Sequence, residues 1–296
     1  MNKERVKAAG VAAEFIGNCQ HQHIEETAIG VVLGSGWGDT LEFEEKIEIP
    51  FSTIPGFKNL PTVVEGHKRT LIVGKIAGKQ VLALNGRLHL YEKPFSKSWL
   101  KMVRLQVEML FHLGVKKIII TSAVGTLKCQ PERFSRLADE FWKAGGTFPF
   151  PDPELQVGDI AIIDGFVTVF APIMPLWGDE FCSADETISQ NLIDIALKSQ
   201  GDLVIAKKTG HAMLRGPQFE GNKYDKEILS KTGAGVVGMS MLPEAYIASL
   251  YGIEILGLGF VTNGYKEKHS HEENLERAKS ASAHLGEYLK SIIAQM

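Results

Sequence analysis

Apolar runs rich in β-branched residues recur along the chain, separated by stretches of helical period. Thr27 to Leu33 is such a run and reads as a buried strand. Thr70 to Ile76 and Gln80 to Leu84 flank Ala77-Gly78-Lys79 and read as a hairpin. Val115 to Thr121, Asp159 to Ile163, Asp202 to Lys207, Gly235 to Met239 and Ile253 to Thr262 read as further strands. Helical period covers residues 3–23, Trp99 to Leu113, Ile188 to Ser199, Lys223 to Thr232, Pro243 to Tyr251 and Glu272 to Ala294.

Strands alternating with helices predict an α/β sheet covered on both faces. In such sheets ligands collect at the carboxyl ends of strands. The glycine- and hydroxyl-bearing loops at 34–38, 121–126, 239–240 and 262–264 are all expected at such ends. Residues 129–156 break the rhythm with a charged piece, Gly145-Gly146 and a proline-rich run from Phe148 to Pro153. This segment reads as an insertion within one domain.

Composition narrows the partners. The chain has 296 residues, 44% hydrophobic and 23% charged, with a formal net charge of −3. That is length enough for a large core. With a pI of about 6.3 and no Lys/Arg run, nothing points to nucleic acid, and any anion handled here is a small one. Three cysteines (Cys19, Cys129, Cys182) show no paired spacing, which fits a reduced, cytoplasmic setting and argues against structural zinc. No segment approaches the roughly 18 apolar residues needed to cross a membrane, and Met1 to Glu14 lacks a signal-peptide core.

The chemistry concentrates in two loops, Gly216-Pro217-Gln218-Phe219-Glu220 and Val237-Gly238-Met239-Ser240-Met241-Leu242-Pro243-Glu244. A carboxylate withdrawn from water needs hydrogen-bond donors, and a 6-oxopurine ring supplies an N–H. The Gly34-Ser35-Gly36-Trp37-Gly38 turn lets backbone N–H groups face an anion. Arg87 offers a planar fork matched to phosphate oxygens. His89, two residues on, would point the same way on a strand, and Glu92 is placed to orient its imidazole. Each feature alone also fits a plainer role. The glycines fit a tight turn, Arg87 a surface ion pair, His67 a loop histidine, Glu220 a solvated carboxylate, and Asn263 a turn residue before Gly264.

Taken in order, these pieces resemble the trimeric purine nucleoside phosphorylases. Glu65-Gly66-His67, Gly86 to Glu92, Thr121-Ser122-Ala123-Val124-Gly125, Val157-Gly158-Asp159, Thr262-Asn263 and His271-Glu272-Glu273 complete the set, which spans residues 31–276. The resemblance implies a single α/β domain over residues 1–296, with a central mixed sheet flanked by helices. It implies reversible cleavage of a purine N-glycosidic bond by inorganic phosphate, with no metal or organic cofactor, in a cytoplasmic homotrimer serving purine salvage. It assigns Ser35, His67, Arg87, His89, Ala123 and Ser240 to phosphate. Tyr91, Met239 and His271 go to the ribose, with His269 as a competitor. Phe219, Glu220 and Asn263 go to the base. His89, Glu220 and Asn263 carry catalysis, and Phe170 is the candidate aromatic that reaches a neighbouring subunit's sugar.

Several positions depart from the family pattern. Val124 and Thr126 replace an alanine and a glycine, Gly221 replaces a threonine, and His211 and Arg215 stand where an aromatic and a small residue are usual. A 5′-methylthioadenosine phosphorylase, the rival with the same fold, would want serine at 220 and an aspartate near 263. A silent nucleoside-binding protein would need a broken phosphate site, yet Ser35, Arg87, His89 and Ser240 are all present.

Overall fold

A computed structural model describes residues 3–20, 24–60, 67–127, 155–200, 205–265 and 267–296. Within them the chain runs α1 (Lys3–Gln20), β1 (Ile29–Leu33), β2 (Glu44–Pro50), β3 (Thr70–Ile76), β4 (Lys79–Asn85), α2 (Lys97–His112), β5 (Lys117–Thr126) and β6 (Ile160–Val167). It continues through α3 (Gln190–Lys198), β7 (Ala206–Met213), α4 (Asp225–Ser230), β8 (Ala234–Gly238), α5 (Leu242–Leu250), β9 (Glu254–Asn263), α6 (His271–Ser280) and α7 (Ser282–Gln295).

All the strands join one mixed sheet in the order β2-β3-β4-β1-β5-β8-β7-β6-β9. β1 lies parallel between β4 and β5, whereas β3 is antiparallel to both β2 and β4. β9 also pairs in parallel with β5. The strands β5, β8, β7, β6 and β9 therefore close on themselves, which removes the free edge that β9 would otherwise expose.

The apolar runs are continuous because both sheet faces are buried. Val32, Leu82, Ile118 and Ile120 pack with α1, α2 and α5 on one side. The alternating residues Val31, Leu33, Val81 and Ile119 pack with α3 and α7 on the other. Each such side chain contributes roughly 1.5–3 kcal/mol on burial.

The expected α/β sheet with helices on both faces is the observed one. Several boundaries differ. β2 went unread because Glu44-Glu45-Lys46 masks its pattern. It is an edge strand with one paired side, where charge is tolerated. The strand expected at Asp202 to Lys207 runs instead from Ala206 to Met213, and residues 201–204 lie outside the described ones. Its polar members Thr209 and His211 are buried, which hid the strand from a hydrophobicity reading. The single C-terminal helix is two, parted at Ala281. Residues 121–126 and 262–263 are not loops but the last turns of the two long strands β5 and β9. Arg87 and His89 are not on a strand either. β4 stops at Asn85, and Leu90–Glu92 forms a 3-10 turn. The inserted segment lies outside the described residues from 128 to 154.

Candidate active site

An open cleft lies where β1, β5, β8 and β9 end. Most of the predicted residues meet there. Ser35, His89, Ala123 and Ser240 line it, as do Tyr91, Met239 and His271, and Phe219, Glu220 and Asn263. Ser35 follows β1, Ala123 lies on β5, Ser240 follows β8 and Asn263 ends β9, so four strands deliver one group each.

At the anion end, hydrogen bonds fix the proton positions. The backbone N–H of Arg87 donates to His67 Nδ1 at 3.1 Å. The ring proton of a neutral His67 therefore sits on Nε2, 3.1 Å from Ser35 Oγ. Burial first, and then the neighbouring His89 and Arg87, hold His67 well below the usual imidazole range, so it stays neutral. With His67 donating to its oxygen, the Ser35 hydroxyl keeps its own proton for an anion. Met241, just past Ser240, has φ 75° although it is not glycine, a strained backbone of the kind kept at functional sites.

His89 leans on Glu92, with Nδ1 at 3.2 Å from Oε1, while the His89 N–H donates to the same oxygen at 2.8 Å. Arg69 closes the chain through its ion pair with Glu92. Burial lowers the His89 pKa, partly offset by Glu92. Burial also opposes ionisation of Glu92, but hydrogen bonds from His89 and the charge of Arg69 outweigh it and hold the carboxyl below its usual range. With Nδ1 engaged by Glu92, Nε2 is the ring nitrogen left over, on a residue that lines the cleft.

Arg87 is present but not on the wall of the cleft. Its guanidinium is buried behind the Gly34 turn, paired with Glu244 at 3.3 Å and bonded to the Thr121 carbonyl. It braces β5 through that carbonyl. His211, fully buried, lies in the same region, with neither ring nitrogen hydrogen-bonded. Burial, and then the charge of Arg87, depress its pKa to about 4.

The Tyr91 ring stacks on His89, with centroids 4.7 Å apart. Burial raises its phenol to about 12, so it remains protonated. Both competing histidines reach the cleft. His269 is engaged by Asn274 at 3.0 Å and by the Phe219 ring, whereas the buried His271 Nε2 has no partner. Phe170 is half-buried and packs within its own chain beside Leu127, Ala212 and Val237.

Asn263 is 3% exposed and its Nδ2 has no hydrogen-bond partner. Its approach depends on Gly125, where a Cβ would stand 2.6 Å from that nitrogen. Glu220 is nearly buried and pairs with Lys226 at 3.2 Å.

Comparison with known proteins fits this geometry. The family model described as "Phosphorylase superfamily" matches residues 143–294, just over half of the chain. The chain belongs to the phosphorylase superfamily. Within that superfamily its relatives are purine nucleoside phosphorylases. The chain is 29% identical to purine nucleoside phosphorylase 1 of Bacillus subtilis (strain 168), with 99% of each chain covered. It is 27% identical to the purine nucleoside phosphorylase of Bos taurus, covering 90% of this chain and 89% of that one. Isoform 2 of purine nucleoside phosphorylase from Schistosoma mansoni, solved with cytosine and ribose-1-phosphate, superposes with a TM-score of 0.75. It is 27% identical, covering 98% of this chain and 96% of that one. The Schistosoma mansoni enzyme solved with inosine gives a TM-score of 0.75 at 26% identity, covering 100% and 97%.

Several residues of this phosphorylase-superfamily site were given no role by the motif reading. Arg69 braces Glu92, Glu244 and Thr121 hold Arg87, and Lys226 meets Glu220. Pro243-Glu244 and Thr121 stood inside recognised motifs without an assigned function. Arg69 and Lys226 carry no local signal at all, since only the fold brings them to the cleft.

Proposed function

We propose that the chain catalyses reversible phosphorolysis of 6-oxopurine nucleosides such as inosine and guanosine, ribo or deoxy. An oxygen of hydrogen phosphate bonds to the anomeric carbon, the C1′–N9 bond breaks, and its electron pair leaves with the purine, which ends as the free base with the proton that hydrogen phosphate gives up. The other product is the sugar 1-phosphate. The observation that carries this reading is that one cleft is lined both by Glu220, a largely buried acceptor, and by Asn263, whose Nδ2 donor is unpartnered. Ser35, His89, Ala123 and Ser240 line the same cleft.

Each group has a defined task in this reading. Ser35, Ser240 and the Ala123 N–H bind phosphate, with His89 hydrogen-bonding it through the Nε2 edge and His67 and Arg87 acting from behind. Tyr91 and Met239 flank the ribose, and His271 Nε2 holds the 5′-hydroxyl. Phe219 packs on the purine ring. Glu220 accepts from N1–H. Asn263 donates to N7, where negative charge grows as the bond breaks through an oxocarbenium-like transition state. Adenine has no N1–H to offer, so inosine is favoured over adenosine. The enzyme works in the cytoplasm in purine salvage as a homotrimer, with its sites near the subunit interfaces.

The test is release of hypoxanthine from inosine with and without phosphate, alongside adenosine and methylthioadenosine. Phosphate-dependent release from inosine is expected. Release from the adenine nucleosides alone would overturn the base assignment, and no release from any would favour a silent binding protein. In the same assay Glu220→Ala should raise KM for inosine about ten-fold or more, the usual cost of losing a hydrogen bond to a charged group. An unchanged KM would remove Glu220 from the base contact.

A further inference from the structure

Lys226 is the only lysine among the described residues that is buried, with 0% of its surface exposed. A lysine is rarely placed there unless its charge is used. Its ammonium lies 3.2 Å from Glu220 Oε1 and donates to the Gly264 carbonyl oxygen at 3.2 Å. Glu220 lines the cleft, and Gly264 directly follows Asn263. One buried cation thus ties together the two chain segments that carry the base-facing groups.

The backbone around it strengthens the tie. The Gly221 N–H donates to Asp225 Oδ2 at 2.8 Å, and the Lys226 N–H donates to the Gly221 carbonyl at 3.1 Å. The start of α4 therefore folds onto the residue after Glu220. Lys226 itself does not line the cleft and acts only through its neighbours.

We propose that Lys226 is the positioning residue for base selection, holding Glu220 as an acceptor-only carboxylate at a set place relative to Asn263. This rests on the 6-oxopurine reading of the cleft. The chemistry gives the consequence. Without the ammonium the Glu220 carboxylate is no longer held opposite N1–H, a contact that inosine makes and that adenosine, which has no N1–H, cannot lose. Removing the charge should then move selectivity between the two bases, which a purely structural lysine would not do.

The experiment compares the wild-type enzyme with Lys226→Met, Lys226→Gln and Lys226→Arg on inosine and adenosine at saturating phosphate, after thermal unfolding has shown which variants fold. For Lys226→Met, KM for inosine should rise about ten-fold or more while kcat holds, in keeping with loss of a charge-assisted contact. The ratio of kcat/KM for inosine over adenosine should fall by a similar factor, and Lys226→Arg should recover much of it. If Lys226→Met does not fold, Lys226→Gln should shift KM and the ratio in the same direction. A folded neutral variant with unchanged KM and ratio, or with equal losses on both nucleosides, would overturn the proposal while leaving the 6-oxopurine reading intact. A wild-type enzyme inactive on inosine would instead overturn that reading, and the proposal with it.

Discussion

Asn263 has its amide oxygen within 3.3 Å of the Thr262 hydroxyl and its amide nitrogen free. A buried donor without a partner is costly and is kept where a ligand completes it. Asn263→Ala should lower kcat on inosine by about a hundred-fold or more, the scale of losing a positioned donor to developing charge. A folded variant with near-normal turnover would remove it from that role. That Glu220 and Asn263 meet at one cleft was legible in the sequence because each sits in a recognisable motif. The aim of Arg87 was not. The resemblance assigned it to phosphate, but Glu244 and the Thr121 carbonyl turn the guanidinium behind the cleft. Lys226 was illegible for a different reason. Lys226 falls inside the expected helix Lys223 to Thr232 with no motif to mark it, and its contacts with Glu220 and Gly264 form only in the fold.

The elements that build the site are strand ends, and their spacing depends on small residues. The Gly34 N–H donates to Thr121 Oγ1 at 3.0 Å, joining the end of β1 to β5. A Cβ at Gly34 would stand 2.4 Å from the Thr121 carbonyl oxygen and 2.6 Å from Arg87 Nη2. Gly34→Ala should therefore cost about 1–3 kcal/mol through overpacking and raise KM for phosphate more than KM for inosine. Thermal unfolding and separate titrations of the two substrates check this; equal effects on both KM values would show that the turn is not specific to the anion end. Elements with unmixed patterns were legible, as β1, the β3–β4 hairpin and α2 show. Those whose burial contradicts their polarity were not. β7 places Thr209 and His211 inside, and β2 exposes its charges on an edge. The C-terminal helix pair keeps one continuous helical period, so its break at Ala281 left no mark in the pattern.

Across the whole molecule, buried neutral imidazoles predict how stability responds to acid. His211 titrates at about 4 instead of 6.5, and His67 and His89 are shifted in the same direction by burial. The unfolded chain takes up these protons below pH 6.5, whereas the folded protein resists until the lower values. The contribution of these histidines to stability is therefore full above pH 6.5 and is lost as pH falls toward 4. A shift of the size seen at His211 corresponds to roughly 3 kcal/mol. His211→Leu should narrow the difference between urea midpoints at pH 7.5 and pH 5, and an undiminished difference would show that His211 is not the source. No helix among the described residues is long and apolar enough to cross a membrane. The sequence by itself determined the α/β alternation, the buried strands and the set of residue types needed for an anion and a base, because periodicity and motif order are local properties of the chain. Only the tertiary structure decided that β5 to β9 close into a ring, that Arg87 turns to Glu244, and that Lys226 reaches Glu220 and Gly264. Those outcomes depend on which groups meet across long separations and on how far each is withdrawn from water, and neither is written in local spacing.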